Sequence, residues 1–202
     1  MTSVLKIALA CALGFGALLM ESQAAPSLAF LGLTRDSDPL IREALAKAIR
    51  FELAGDSGLS TPTPDRIQSA FITGALEDVE PAPWELPRLS REIGAQFYAF
   101  GKLEPMSHVS ARKWFMPWQV KTRWSRDLRL RVVEASTGRI MYDGVVPAEY
   151  TERSLFFSPE SSEQRMAPGE RDLRSRRSLA LLSVASAKTL AKVLREAPKK
   201  KG

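Results

Sequence analysis

Leu128-Arg129-Leu130-Arg131-Val132-Val133-Glu134-Ala135-Ser136-Thr137-Gly138-Arg139-Ile140-Met141-Tyr142-Asp143-Gly144-Val145-Val146 is the most legible stretch of the chain. Leu128, Leu130 and Val132 alternate with Arg129, Arg131 and Val133, the period of two that sends successive side chains to opposite faces of a strand. Thr137-Gly138 supplies a turn with a residue free to take positive φ, and Arg139 to Val146 returns. The stretch reads as a β-hairpin with one apolar and one basic face. The apolar face is expected against a core and the basic face against solvent.

Upstream, Ala95-Gln96-Phe97-Tyr98-Ala99-Phe100-Gly101-Lys102-Leu103 is rich in strand-forming aromatics, and Ser27 to Leu33 is an apolar run suited to a strand buried on both faces. Asp38-Pro39 provides an N-cap and a first-turn proline. After it, Leu40, Ala44, Ala48 and Phe51, with Ile41, Leu45 and Ile49 beside them, recur at helical spacing as far as Leu53, and Gly55 is the stop. Gly58 to Thr61 reads as a brief strand, and Asp65 as the cap of a helix running through Phe71 and Ile72. Residues 77–88 hold three prolines and four acids and read as a loop. Leu89 to Ile93 closes a short helix at Gly94. Downstream, residues 151–170 are a polar connector. A final helix spans 171–197 with an apolar stripe of Leu173, Leu179, Leu182, Leu190, Val193 and Leu194, and 198–202 is a solvated basic tail. The expected fold is α/β of the α+β kind: a mixed β-sheet with helices packed against it, a closing antiparallel hairpin and a C-terminal helix. One domain, residues 25–150, carries that helix on its surface.

The amino terminus sets the compartment. Lys6 precedes an uncharged run, Ile7 to Met20, and Glu21-Ser22-Gln23-Ala24-Ala25 follows. A basic start, an apolar stretch of about 14 residues and a small-x-small site form a secretory signal, read here as residues 1–24 with cleavage after Ala24. The expected location is the periplasm. The alternatives are an uncleaved signal acting as anchor, or a lipid on Cys11, whose Ala8-Leu9-Ala10-Cys11 context superficially resembles a lipobox. Cys11 is the only cysteine of the 202 residues, so cleavage would leave no thiol for a disulfide, a nucleophile or a metal. Lys and Arg number 29 against 23 Asp and Glu, a net charge of +6. Outside the cytoplasm that balance points to anionic lipid, cell-wall polymer or acidic protein rather than nucleic acid.

Two motifs extend this picture. The segment Leu89-Ser90-Arg91-Glu92-Ile93-Gly94, leading into the strand that ends near Gly101, resembles the "EIG" helix-to-strand step of a domain shared by the TolB amino terminus, the curli secretion protein CsgG and the penicillin-binding-protein activator LpoB. The run Val133-Glu134-Ala135-Ser136-Thr137-Gly138 is similar to that family's "D-A-x-T-G" strand end, with Glu134 in place of the acid and Tyr142 near its aromatic position. The resemblance covers residues 27–146 and implies a mixed sheet and a role in assembling, activating or anchoring envelope machinery. The chain departs from the family in lacking a convincing lipobox, a propeller and a pore-forming segment.

The most unusual segment is Trp114-Phe115-Met116-Pro117-Trp118-Gln119-Val120-Lys121-Thr122-Arg123-Trp124, which holds three of the four tryptophans. Its period of two places Trp114, Trp118 and Trp124 on one face and Lys121 and Arg123 on the other, with Pro117 marking an edge or a bulge. The segment is either core beneath the helices or a partner surface. Trp, Tyr and Arg concentrate in binding hot spots, and an edge can accept a partner strand. Arg112, Lys113 and Arg126 would add a basic rim, and Arg129 and Arg131 form a basic stripe that is either solvated or used. The expected partner-binding set is therefore Trp114, Trp118, Lys121, Arg123, Trp124, Arg129 and Arg131. The expected partners are envelope proteins, with peptidoglycan or an anionic membrane surface beside them.

Catalysis has little support. His108 is the sole histidine and reads as a loop residue. No nucleophile elbow, P-loop or dinucleotide fingerprint is present, and Glu77, Asp78 and Glu80 lack EF-hand spacing. No cofactor or metal is expected. The sequence thus points to a non-enzymatic accessory or adaptor protein. A cell-wall-active hydrolase and an anionic-polymer binding module are the alternatives.

Overall fold

The computed structural model describes residues 25–35, 38–73, 78–113, 116–154 and 168–196. In chain order these form β1 (Leu28–Leu33), α1 (Pro39–Ala54), α2 (Pro64–Ile72), α3 (Leu86–Glu92), β2 (Phe97–Leu103), β3 (Ser107–Lys113), β4 (Met116–Glu134), β5 (Ile140–Ser154) and α4 (Pro168–Glu196). The signal read in residues 1–24 and the tail 198–202 lie outside them. No helix among the described residues is long and apolar enough to cross a membrane.

The hairpin legible from Leu128 to Val146 is the end of a longer one. β4 runs back to Met116, so the Trp-rich segment and the Leu/Arg strand are one element, and β5 continues to Ser154, four residues into the expected connector. The sheet has five strands: β1 lies parallel to β2, and every other pairing is antiparallel. β5 flanks β4 from Val120 to Val133. On its other side β4 pairs with β3 along its first half and with β2 along its second. Val120 to Trp124 therefore lie between two strands, whereas Met116 to Gln119, Pro117 among them, precede the β5 pairing and keep that side open among the described residues. Pro117 also sits in the slip of the β3–β4 register, where Arg112 pairs with Val120 and Lys113 with Met116, so the expected irregularity falls at that proline.

One face of the sheet carries α1 and α4. Leu45, Ile49 and Leu53 of α1 and Leu182, Leu190 and Leu194 of α4 pack with Leu28, Phe30, Leu128, Leu130, Val132 and Val146. Asp38 caps α1 as read, its Oδ1 accepting from the Leu40 amide at 2.8 Å, and Gly55 ends it. The buried row differs from the one placed first in the sequence, since Leu40 and Phe51 are each 78% exposed. Both rows have helical spacing, and the sheet takes the one with the bulkier Leu45-Ile49-Leu53 side chains.

The other face carries α2 and α3, which cover Ala29, Leu31, Tyr98, Phe100 and Val133 with Ile67, Leu86, Leu89 and Ile93. Leu28 to Leu33 is buried at every position, as expected of a strand between two layers. Gly94 and Gly138 take φ of 74° and 69°, the left-handed conformation their sequence positions require. Gly101 serves neither as strand end nor as bulge. β2 runs on to Leu103, and a Cβ at Gly101 would lie 2.9 Å from the Arg129 carbonyl oxygen.

Candidate functional site

The two helical layers are unequal, and this inequality creates the site. α2 and α3 are short, nine and seven residues, and their core reaches only β1, β2 and the end of β4. Beyond it no described residue covers the same face of β3, β4 and β5. Lys121, Arg123 and Arg129 from β4 are exposed there with Val145, Glu149, Thr151 and Arg153 from β5. Val109 of β3 lies opposite Arg123 and is 70% exposed, and Val145 lies opposite Arg129 and is 55% exposed.

The charges on this face are not equally available. Asp143 sits between two arginines: Arg129 Nε donates to Oδ1 at 3.0 Å, and Arg131 Nη2 donates to Oδ2 at 3.0 Å. The Asp143 carboxyl is consequently held below the usual carboxylate range, first by the Arg129 hydrogen bond and then by Arg131, while Arg129 is raised by the same contact. Arg131 also pairs with Glu80 and lies 5.9 Å from the Phe100 ring centroid. Arg123 pairs with Glu149. Lys121 and Arg153 stand directly opposite each other across the ladder, and no acid among the described residues pairs with either. Like charges in that arrangement are unfavourable, so among the described residues the open face carries two cations without an acid partner.

Of the expected partner-binding residues, the structure brings Lys121, Arg123, Arg129 and Arg131 to this one face. Trp124 is a correction. It lies on the opposite face, 1% exposed. Its indole Nε1 donates to Glu152 Oε2 at 3.2 Å, and its ring stands 4.8 Å from His108 and 6.5 Å from Tyr150. Arg177 of α4 closes over this group, 5.5 Å from the Tyr150 ring and 3.8 Å from Glu152. Packing under α4 thus accounts for Trp124, and His108 is a strand residue whose ring lies tilted against it rather than a loop residue. Trp118 lies on β4, and its side chain is outside the described residues, as is Trp114 altogether. Arg126 does not join a basic rim, because its Nε reaches the Glu104 carbonyl at 3.4 Å from the covered side. Asp78 and Glu80 contact Arg35 and Arg131, and Glu77 lies outside the described residues.

Sequence reading missed Val145, Glu149 and Arg153, whose alternation would have appeared had the strand been followed past Val146. It also missed Arg50. β1 slips register against β2 between Phe30 and Gly32, and Arg50 reaches from α1 to the Phe30 and Leu31 carbonyls at 2.9 and 2.6 Å. Desolvation holds that guanidinium below its ordinary pKa. No period or motif announces such a contact.

No protein-family model and no curated protein matches the sequence. Among solved structures, the chain is similar to the LpoB C-terminal domain from Salmonella enterica (13% identity, 61% of this chain and 82% of that one, TM-score 0.42). It is also similar to lipoprotein GNA1162 from Neisseria meningitidis (12%, 83% and 99%, TM-score 0.44). TolB from Acinetobacter baumannii is matched over 82% of this chain but only 28% of its own length (10% identity, TM-score 0.37). These are loose likenesses of chain path to envelope proteins, and they assign no activity, ligand or partner to this chain.

Proposed function

We propose that this chain is an accessory protein of the cell envelope that acts by binding rather than by catalysis, and that an envelope protein docks on the open face of the sheet. The reading rests on one observation: β4 and β5 are covered by α4 on one side, and on the other they and β3 are covered by nothing described. On the uncovered side the apolar Val109 and Val145 are exposed beside Lys121 and Arg153. Apolar contact from the valines and steering by the cations are the usual division of labour at such a surface. Glu80, Asp143 and Glu149 are held by arginines, which suits them to orient those side chains rather than to transfer protons.

The test places a photoreactive residue at Val109 or Val145, with exposed Ser57 as the control position. Both sheet positions are expected to yield an adduct with an envelope protein in living cells, and Lys121→Glu is expected to weaken it. Equal labelling from Ser57 would sink the proposal, as would digestion of peptidoglycan by the purified protein in a zymogram.

A further inference from the structure

The sheet has edges as well as an open face, and they are not equally protected. β1 is closed: Ser60 exchanges hydrogen bonds with Leu28 and Pro26, and Arg50 takes the Phe30 and Leu31 carbonyls. β3 also lacks an outer partner strand among the described residues, but it carries cations and no acid. β5 pairs only with β4, so its outer edge has no partner strand among the described residues. An unpaired edge of this kind is a template for another strand.

Which groups of β5 point outward follows from β4. The Asp127 carbonyl accepts from the Glu104 amide at 2.9 Å, so Asp127 directs its backbone away from β5. Its neighbour across the ladder, Pro147, therefore faces outward too, and its missing N–H costs the sheet nothing. By the same alternation Glu149, Thr151 and Arg153 direct their amides and carbonyls outward. Pro147 ends that usable edge on one side.

We propose that this edge pairs with the same edge of a second copy of the chain, antiparallel about a two-fold axis at Thr151. Thr151 then faces its counterpart, and Glu149 of each copy faces Arg153 of the other. Each of these pairs exchanges two backbone hydrogen bonds. Charge selects this register over its neighbours. An axis at Glu149 sets acid against acid, and one at Arg153 sets cation against cation. An axis at Glu152 opposes two carboxylates, and one at Tyr150 brings Pro147 into the ladder. The chosen register also relieves the fold's own conflict: Arg153, opposite Lys121 and without an acid among the described residues, gains a carboxylate. Glu149 would then lie between Arg123 and the second copy's cation, as Asp143 already lies between Arg129 and Arg131. A two-fold contact is self-complementary and closes on itself, giving a dimer rather than a fibre.

The experiment is sedimentation of the purified protein across a dilution series, with thermal unfolding recorded for every variant. A monomer–dimer equilibrium is expected. Glu149→Arg and Arg153→Glu, each creating two like-charged pairs per dimer, are expected to weaken it by about tenfold. The double variant Glu149→Arg/Arg153→Glu restores opposite charges and is expected to recover it. Thr151→Pro removes an outward donor without touching the β4 ladder and is expected to leave a folded monomer. A wild-type protein that stays monomeric, a dimer indifferent to Thr151→Pro, or a double variant no better than either single one would overturn the proposal. None of these outcomes depends on whether an envelope protein docks on the open face.

Discussion

Arg50 and Asp143 show how single side chains hold this sheet in shape. The slip in β1 turns two successive carbonyls toward α1, and one guanidinium satisfies both. Arg50→Met keeps the aliphatic stem and removes the donors, so urea unfolding is expected to register a loss of about 2 kcal/mol, the scale of a charge-assisted hydrogen bond left unmade. Asp143 is legible as a charge in sequence but not as a shared one. Its carboxyl is lowered by Arg129 and then Arg131, and a depressed folded-state pKa stabilises above the ordinary aspartate value and ceases to do so as pH falls through the lowered one. Asp143→Asn should therefore be the less stable protein at neutral pH, with the gap closing from about pH 4 downward. Denaturant titrations at several pH values would reveal a constant gap if the pairing is without consequence.

At the level of elements, β4 does two jobs that its alternation announces. Even-numbered Leu128, Leu130 and Val132 join the core, and odd-numbered Lys121, Arg123 and Arg129 stand on the open face. Period two sorts residues into faces but cannot say which face a helix will cover, so the tryptophan question stayed open until α4 was placed. Trp124→Ala is expected to cost about 3–5 kcal/mol in urea unfolding, as for other buried large-to-small changes. Lys121→Glu, on the opposite face, should stay within about 0.5 kcal/mol of wild type. Comparable losses for the two would mean that the face assignment fails. The α1 helix follows the same logic, since its two adjacent rows are both apolar and only the sheet chooses between them.

Across the whole molecule, the asymmetry of the helical layers decides which face of the sheet is buried and which is left open among the described residues. α4 supplies Leu182, Leu190 and Leu194 to the larger core, and its Arg195 reaches back to Asp56 beside α1 at 2.7 Å. A chain lacking residues 168–196 would expose that core, and it is expected to lose its cooperative unfolding transition by near-UV circular dichroism. Retention of a sharp transition would show that the sheet and α1 suffice. Local chemistry determined much of this protein: the caps of α1, the left-handed glycines, the both-face burial of β1, the closing hairpin and the sorting of β4 into two faces. These follow from neighbours within a few residues, where steric limits and periodicity act. The sequence could not show that the Trp-rich segment and the hairpin strand are one continuous strand, or that Arg50 seals a distant bulge. Nor could it show that α2 and α3 stop short and leave a cationic face bare. Those outcomes depend on how far one element reaches over another, which only packing in three dimensions decides.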